Sequence, residues 1–424
     1  MKIMPGNIKG EITAPPSKSM MQRAVAIAAL ANGTTEITNP SFCDDSLASI
    51  EIARALGAEV DVHQDMVKIS SGVNEVKSVL NCNESGLCMR MFSPIAALFD
   101  KQLTITGTGS LLSRPVGMIE EPLKRLGVDV KTNNGVPPVK VTGPMHGGQI
   151  TVDGGVSSQF LSGLLIALPL CKEDSEVDIL DLKSKDYVSM TESMILLFGA
   201  NIWIDDEMKK ASVSGNQQYI GKKYRVEGDW SGAAFMLVAG AIAGEVNINQ
   251  LESSIQPDQM IKSALVDAGA ELEFNNNEVF VSRGELRAFE FDATNSPDLF
   301  PPLVALACNC KGKTIIHGVS RLAHKESNRA QVLVNEFTRM GAEIRIDGDR
   351  MEIMGKPLKG GTVDSNGDHR IAMACAIAAL RSELGVEIRH PECVSKSYPK
   401  FFQDLKRISN EEGLRDLGLS GEQK

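Results

Sequence analysis

The sequence predicts an α/β protein built from six small repeated modules. Three observations carry this. A short phrase returns at a fixed step: "LGAEV" at 56–60, "LGVDV" at 126–130, "FGANI" at 198–202, "AGAEL" at 268–272 and "MGAEI" at 340–344. Its glycines, Gly57, Gly127, Gly199, Gly269 and Gly341, stand 70, 72, 70 and 72 residues apart. A second phrase, helix then polar turn then strand, occurs six times: "AIAALANGTTEIT", "PIAALFDKQLTIT", "LIALPLCKEDSEVDI", "VAGAIAGEVNI", "LVALACNCKGKTII" and "AIAALRSELGVEI". This period exceeds the roughly 20–50 residues of solenoid repeats, so compact modules fit better than a linear stack. At 424 residues the chain is also too long for one core, and two or three domains are expected.

Each "LGAEV"-type phrase lies between a helical and a strand pattern. Its glycine is expected just past a helix end, where φ is positive. The helix of the second phrase is apolar on all sides and should be buried, whereas the helix before "LGAEV" carries polar residues and should face solvent. Near the N-terminus, "APPSKSMMQR" at 14–23 reads as a strand that stops at the prolines and a helix that starts after them. The longest apolar runs are about ten residues, half of what a membrane span needs. "MKIMPGNIKG" has no apolar signal region, so a cytoplasmic location is expected. The net charge of −10 and an aromatic content of 5% argue against nucleic-acid binding. The eight cysteines form no CxxC pair and read as reduced core thiols, and the six histidines show no zinc-binding spacing. The polar tail from Ser409 is expected to fray.

The starts of the buried helices read "PSKSMMQR", "NESGLCMR", "VSSQF", "EGDWSGAAF", "SPDLFP" and "NGDHR". Capping accounts for the Ser and Asp residues. It does not account for Lys18, Arg23, Arg90, Gln159, His369 or Arg370, because cations oppose the dipole at a helix N-terminus. An anion shared between dipole and side chains does account for them. Further candidates are Arg114 in "SLLSRPVG", Ser184 and Tyr187 in "LKSKDYVSMT", and Lys325, Glu326 and Arg329 in "AHKESNR". Taken alone, Glu326 and Arg329 also fit a surface ion pair, and Lys396 in "CVSKSYPKFF" fits a solvated lysine.

In order, "PPSKSMMQR", "SGLCMR", "SRP", "VSSQF", "SPD", "HKESNR", "GDHRIAM" and "KSYPKFF" resemble the motifs of the 5-enolpyruvylshikimate-3-phosphate synthase family, over about residues 5 to 405. The resemblance implies a two-domain enolpyruvyl-transferase-like fold of six βαββαβ units, three per domain, with buried helices aiming their N-termini at an interdomain cleft. One domain would be 14–228. The other would combine 1–13 with 229–424, with crossovers near 13–15 and 227–230. The implied reaction moves the carboxyvinyl group of phosphoenolpyruvate to the 5-hydroxyl of shikimate 3-phosphate, through a tetrahedral intermediate, with release of phosphate. It implies no metal or organic cofactor and no macromolecular partner. No apolar stripe calls for a second copy, so a monomer is expected.

By the same resemblance, Lys18, Ser19, Arg23, Ser157, Ser158, Gln159, Ser184, Tyr187, Asp298 and Lys325 would contact shikimate 3-phosphate. Lys18, Gly86, Arg114, Gln159, Arg329, Arg370 and Lys396 would contact phosphoenolpyruvate. Lys18, Asp298 and Glu326 would share the proton transfers. Glu84, Leu87 and Met91 depart from the commoner residues at their positions. Two rival readings stand beside this one: the related transferase acting on UDP-N-acetylglucosamine, and a non-catalytic repeat scaffold. The first typically has Lys-Asn where this chain has Lys18-Ser19, and a reactive cysteine in the loop that here reads "GTGSLLSRPVG". Because cations gather in both half-sites, the empty cleft is expected to repel itself and stand open until anionic ligand closes it.

Overall fold

Six helices are apolar on nearly every side, and each is buried. They are α1 (Lys18–Ala28), α2 (Gly86–Ala96), α3 (Ser158–Ala167), α4 (Trp230–Ala243), α5 (Phe300–Ala307) and α6 (His369–Ala379). Only the first residues of α1 and Gln159 of α3 reach appreciable solvent. The structure is a computed structural model that describes residues 1–155 and 157–409, so the tail beyond Ser409 lies outside it. None of the described helices is long and apolar enough to cross a membrane.

The repeated glycine phrase has one physical explanation. Five outer helices, Asp44–Ala55, Glu120–Arg125, Lys185–Leu197, Ile261–Asp267 and Arg329–Arg339, each end two residues before its glycine. The glycines take φ of 94°, 81°, 93°, 86° and 91°. In each case the next residue closes a six-to-one bond onto the helix: Ala58 N–H to Ala53 O, Val128 to Leu123, Ala200 to Ile195, Ala270 to Leu265 and Ala342 to Phe337, at 2.9–3.2 Å. These are five Schellman caps, and a side chain larger than hydrogen is strained at their C′ position.

Six sheets accompany the six buried helices. In the second module Val79–Asn81 pairs in parallel with Gln102–Thr106, which pairs antiparallel with Val136–Thr142, with Asp129–Asn133 at the edge. A helix covers the parallel step because that step needs a crossover, and the last two strands form a hairpin. The order is therefore β-α-β-α-β-β, which corrects the expected βαββαβ: one strand, not two, separates the helices. The sixth sheet has three strands, Gly361–Asp364, Val386–Arg389 and Lys2–Ile3, the last contributed by the opposite end of the chain.

The chain divides into two units, Pro16–Glu227 and Met1–Pro15 with Gly228–Lys424, each with its own hydrophobic core. Strand Ile8–Thr13 leads into α1 yet pairs with Gly244–Asn249 after α4. Strand Lys223–Arg225 leads into α4 yet pairs with Thr34–Thr38 after α1. Where the two connections pass, Ser17 N–H donates to Glu227 O at 2.8 Å and Asp229 N–H to Pro15 O at 2.7 Å. Pro16 falls between the bonded positions, so its missing N–H leaves no gap in the pairing.

Helices α2 and α3 approach through Gly163: a Cβ there would stand 2.2 Å from the Met91 carbonyl oxygen. That neighbour is backbone and cannot swing aside. Gly163→Ala is expected to force the helices apart and lower stability by about 1–3 kcal/mol. Urea unfolding with an unchanged midpoint would contradict this packing.

Candidate functional site

Capping and cations coexist at the buried helix starts. Ser17, Ser85, Ser157, Asp229 and Asp368 each accept a hydrogen bond from the first turn of α1, α2, α3, α4 and α6. Helix α5 instead follows a tight turn, Pro297–Leu299, that carries Asp298. The charged residues stand beside these caps and do not replace them.

In the Pro16–Glu227 unit, Lys18 Nζ lies 2.9 Å from Asp45 Oδ2. Gln22, one turn on, donates to Asp45 O at 3.0 Å and to Ser85 Oγ at 2.8 Å, tying the start of α1 to that of α2. Arg23 is 1% exposed. It donates to Thr191 Oγ1 at 2.8 Å, Ser19 O at 2.9 Å and Tyr187 O at 2.9 Å. All three acceptors are neutral, and no carboxylate among the described residues pairs with it. Burial pushes its proton affinity down to about 10, opposed by Tyr187 and Tyr224. Ser184 is buried with φ of 55° and precedes the helix that carries Tyr187 and Thr191. Ser158 is buried beside the cap Ser157, and Gln159 Oε1 accepts from Arg90 Nη1 at 2.8 Å. Arg114 lies over Gly86, where a Cβ would come within 2.5 Å of its guanidinium. Glu84 packs against Gly109 and Ser110 of the loop that leads to Arg114, while Leu87 and Met91 are buried in the core.

In the other unit a charge network surrounds Arg329, whose side chain is fully buried. It reaches Asp298 at 2.9 Å, Glu326 at 2.5 Å and Asp368 at 2.9 Å. Asp298 also meets Lys325 at 3.2 Å and Arg370 at 3.0 Å. Burial pushes the Asp298 carboxyl up, but Arg370, Lys325 and Arg329 together outweigh it and hold it well below the usual carboxylate range. Burial lowers the Lys325 proton affinity, with Asp298 offsetting part of the effect. Arg329 is held above its ordinary value: Asp368, Glu326 and Asp298 overcome its own burial.

Two readings taken from isolated residues are corrected here. The Glu326–Arg329 pair is no surface pair: the Arg329 side chain is out of water and only a tenth of the Glu326 side chain is exposed. Lys396 is 4% exposed at the end of a 3-10 turn packed on α6, not solvated. The premise of self-repulsion also fails in this unit: Lys325, Arg329 and Arg370 are matched by Asp298, Glu326 and Asp368. Asp45, Arg90, Thr191 and Asp368 were missing from the site expected from sequence. Arg90 had signalled itself as a cation on the first turns of a buried helix, and Asp368 as the neighbour of His369 and Arg370.

The family model for EPSP synthase (3-phosphoshikimate 1-carboxyvinyltransferase) matches residues 3–405. The chain belongs to the EPSP synthase family. The 3-phosphoshikimate 1-carboxyvinyltransferase of Clostridium perfringens strain SM101 is 38% identical over 415 residues, covering 96% of this chain and 97% of that protein. The enzyme of the same name from Methanocorpusculum labreanum is 37% identical over 409 residues, covering 95% and 96%. The structure of EPSP synthase from Acinetobacter baumannii superposes with a TM-score of 0.83 at 28% identity, covering 96% of this chain and 98% of that one. Of the readings left open by the sequence, EPSP synthase membership selects the shikimate 3-phosphate enzyme over the UDP-N-acetylglucosamine enzyme and the scaffold.

The Asp298 network yields a pH signature. Its folded pKa is depressed, so its contribution to stability is present above the unfolded value, about 4, and is lost as pH falls through 4 towards the folded pKa. Asp298→Asn is expected to lose stability at pH 7, towards the lower end of about 3–5 kcal/mol since a fifth of the side chain meets water. The variant should also lose less of its remaining stability than the parent between pH 5 and pH 3. Urea midpoints at the three pH values decide; equal acid sensitivity of the two proteins would remove Asp298 from the network's balance.

Proposed function

We propose that the chain joins phosphoenolpyruvate to shikimate 3-phosphate with the side chains gathered at its buried helix starts. Carboxyvinyl transfer with release of phosphate is the activity of its family. The observation that carries the residue assignment is Arg23: a guanidinium taken wholly out of water and held by neutral oxygens alone is costly unless an anion completes its shell. The shikimate phosphate supplies that anion.

The Pro16–Glu227 unit contributes Lys18, Ser19, Arg23, Ser157, Ser158, Gln159, Ser184 and Tyr187 towards shikimate 3-phosphate, and Lys18, Gly86, Arg114 and Gln159 towards phosphoenolpyruvate. Hydroxyls and N–H groups at helix starts suit phosphate oxygens. Gly86 leaves room for Arg114 to lie flat against the backbone. The other unit contributes Asp298 and Lys325 towards the shikimate ring, and Arg329, Arg370 and Lys396 towards the carboxylate and phosphate of phosphoenolpyruvate.

The chemistry is addition followed by elimination. The 5-hydroxyl oxygen bonds to C2 of phosphoenolpyruvate as it loses its proton, and the methylene carbon gains one. The tetrahedral ketal phosphate then loses phosphate, and a methyl proton leaves to restore the double bond. Asp298 takes the hydroxyl proton. While three cations hold it ionised it is a weak base; once those cations turn to the substrate anions, its proton affinity rises. Glu326, 2.5 Å from Arg329, moves the proton at the methylene carbon, and Lys18 supports charge at the departing phosphate.

Phosphate release from phosphoenolpyruvate plus shikimate 3-phosphate tests this reading. Lys18→Ala, Arg114→Ala and Glu326→Ala are each expected to lower turnover by about 10²–10⁴-fold. No release by the parent chain would end the activity, and release that survives all three changes would end the assignment of residues.

A further inference from the structure

Arg90 lies outside both sets of substrate ligands, yet it touches Gln159, a member of both, and Pro115, the neighbour of Arg114. It sits one turn after Gly86 on α2, and it is 3% exposed. Nη1 donates to Gln159 Oε1 at 2.8 Å. Nη2 and Nε both donate to Pro115 O, at 2.9 and 3.3 Å. Pro115 follows Arg114 directly, so this two-pronged bond fixes the Pro115–Val116 peptide, one residue past the Cα that carries the Arg114 side chain. One guanidinium thus links α2, α3 and the Arg114 loop.

The chemistry of the contact sets the orientation of Gln159. A guanidinium only donates, so it takes the amide oxygen and turns the amide NH₂ the other way. Gln159 is thereby held as a donor of two N–H groups, the end that suits an anion. Arg114 is held in the same frame over Gly86. A lysine at position 90 reaches one of these acceptors as a point charge and lacks the planar fork that holds both.

We infer that Arg90 is a positioning residue for phosphoenolpyruvate: it presets Gln159 as an N–H donor and Arg114 above Gly86. This rests on the reading of Gln159 and Arg114 as phosphoenolpyruvate ligands. Steady-state kinetics with both substrates varied, on Arg90→Lys and Arg90→Met in the full chain, tests it. KM for phosphoenolpyruvate is expected to rise about 10–100-fold in Arg90→Met, with a smaller rise in Arg90→Lys. KM for shikimate 3-phosphate should rise several-fold less, because Gln159 serves both substrates while Arg114 serves phosphoenolpyruvate alone, a split that general loosening of the fold would not produce. Combined with Gln159→Ala or Arg114→Ala, Arg90→Lys should cost less than it does alone, because it acts through them. Three outcomes are decisive. If Gln159→Ala and Arg114→Ala raise KM for phosphoenolpyruvate and the Arg90 effect shrinks in their presence, the inference stands. If they raise it but the Arg90 effect is absent, or is the same with and without them, the inference alone falls. If neither raises it, the ligand reading falls and takes the inference with it. Should Arg90→Met fail to fold, Arg90→Lys carries the same comparison.

Discussion

The constraint on which this structure depends is the termination of a wholly buried helix. An apolar helix packed on all sides leaves its first N–H groups without water or a preceding turn to satisfy them. Polar residues must therefore gather at its start, deep in the protein. Repeating the module repeats the requirement. In the Pro16–Glu227 unit the starts of α1 and α2 are tied by Gln22 and those of α2 and α3 by Arg90 with Gln159. The demands of packing thus produce a polar, partly dehydrated patch from otherwise apolar elements. Capping and ligand binding are two uses of one arrangement, since a helix start that suits a serine hydroxyl also suits a phosphate oxygen.

The two units solve the problem of buried cations differently. Around Arg329, carboxylates balance the charge before any substrate arrives. The network balances its charge within the unit, with Asp298, Glu326 and Asp368 as the counter-charges. Around Arg23 no carboxylate provides balance, and neutral hydroxyl and carbonyl oxygens hold the fork in place. That arrangement leaves a buried charge with no counter-charge among the described residues. Under the proposed assignment, the arrangement around Arg23 would hold a substrate still and the network around Arg329 would let carboxylates change their proton affinity.

Much of the module was legible because its signals are local. The five glycines of the "LGAEV" phrase mark Schellman caps, which need a positive φ that only a few residue types accept. The buried helices showed themselves by lacking any polar side. What was not legible depends on distant partners. The sixth sheet is completed by Lys2–Ile3, nearly four hundred residues from its neighbour Val386–Arg389, and no local pattern could announce that. The strand exchange between Ile8–Thr13 and Lys223–Arg225 is equally remote. Lys396 stands in a polar stretch that reads as surface, and only its packing on α6 buries it. Asp45 and Thr191 belong to ordinary-looking segments, and their meaning comes from Lys18 and Arg23.

The supporting residues also explain why single motifs say little here while their ordered set says much. Lys18 is useful only with Asp45 to hold it, Arg329 only with Asp368 behind it, and Arg114 only where position 86 has no side chain. Each motif therefore presupposes another, far away in the chain. A scaffold that merely caps its helices has no need for this mutual dependence, since a serine or aspartate satisfies the N–H groups without any arginine. The dependence arises when cations must be kept out of water yet held in a fixed place within each unit. In this chain, that is the physical difference between a repeat that folds and a repeat that catalyses.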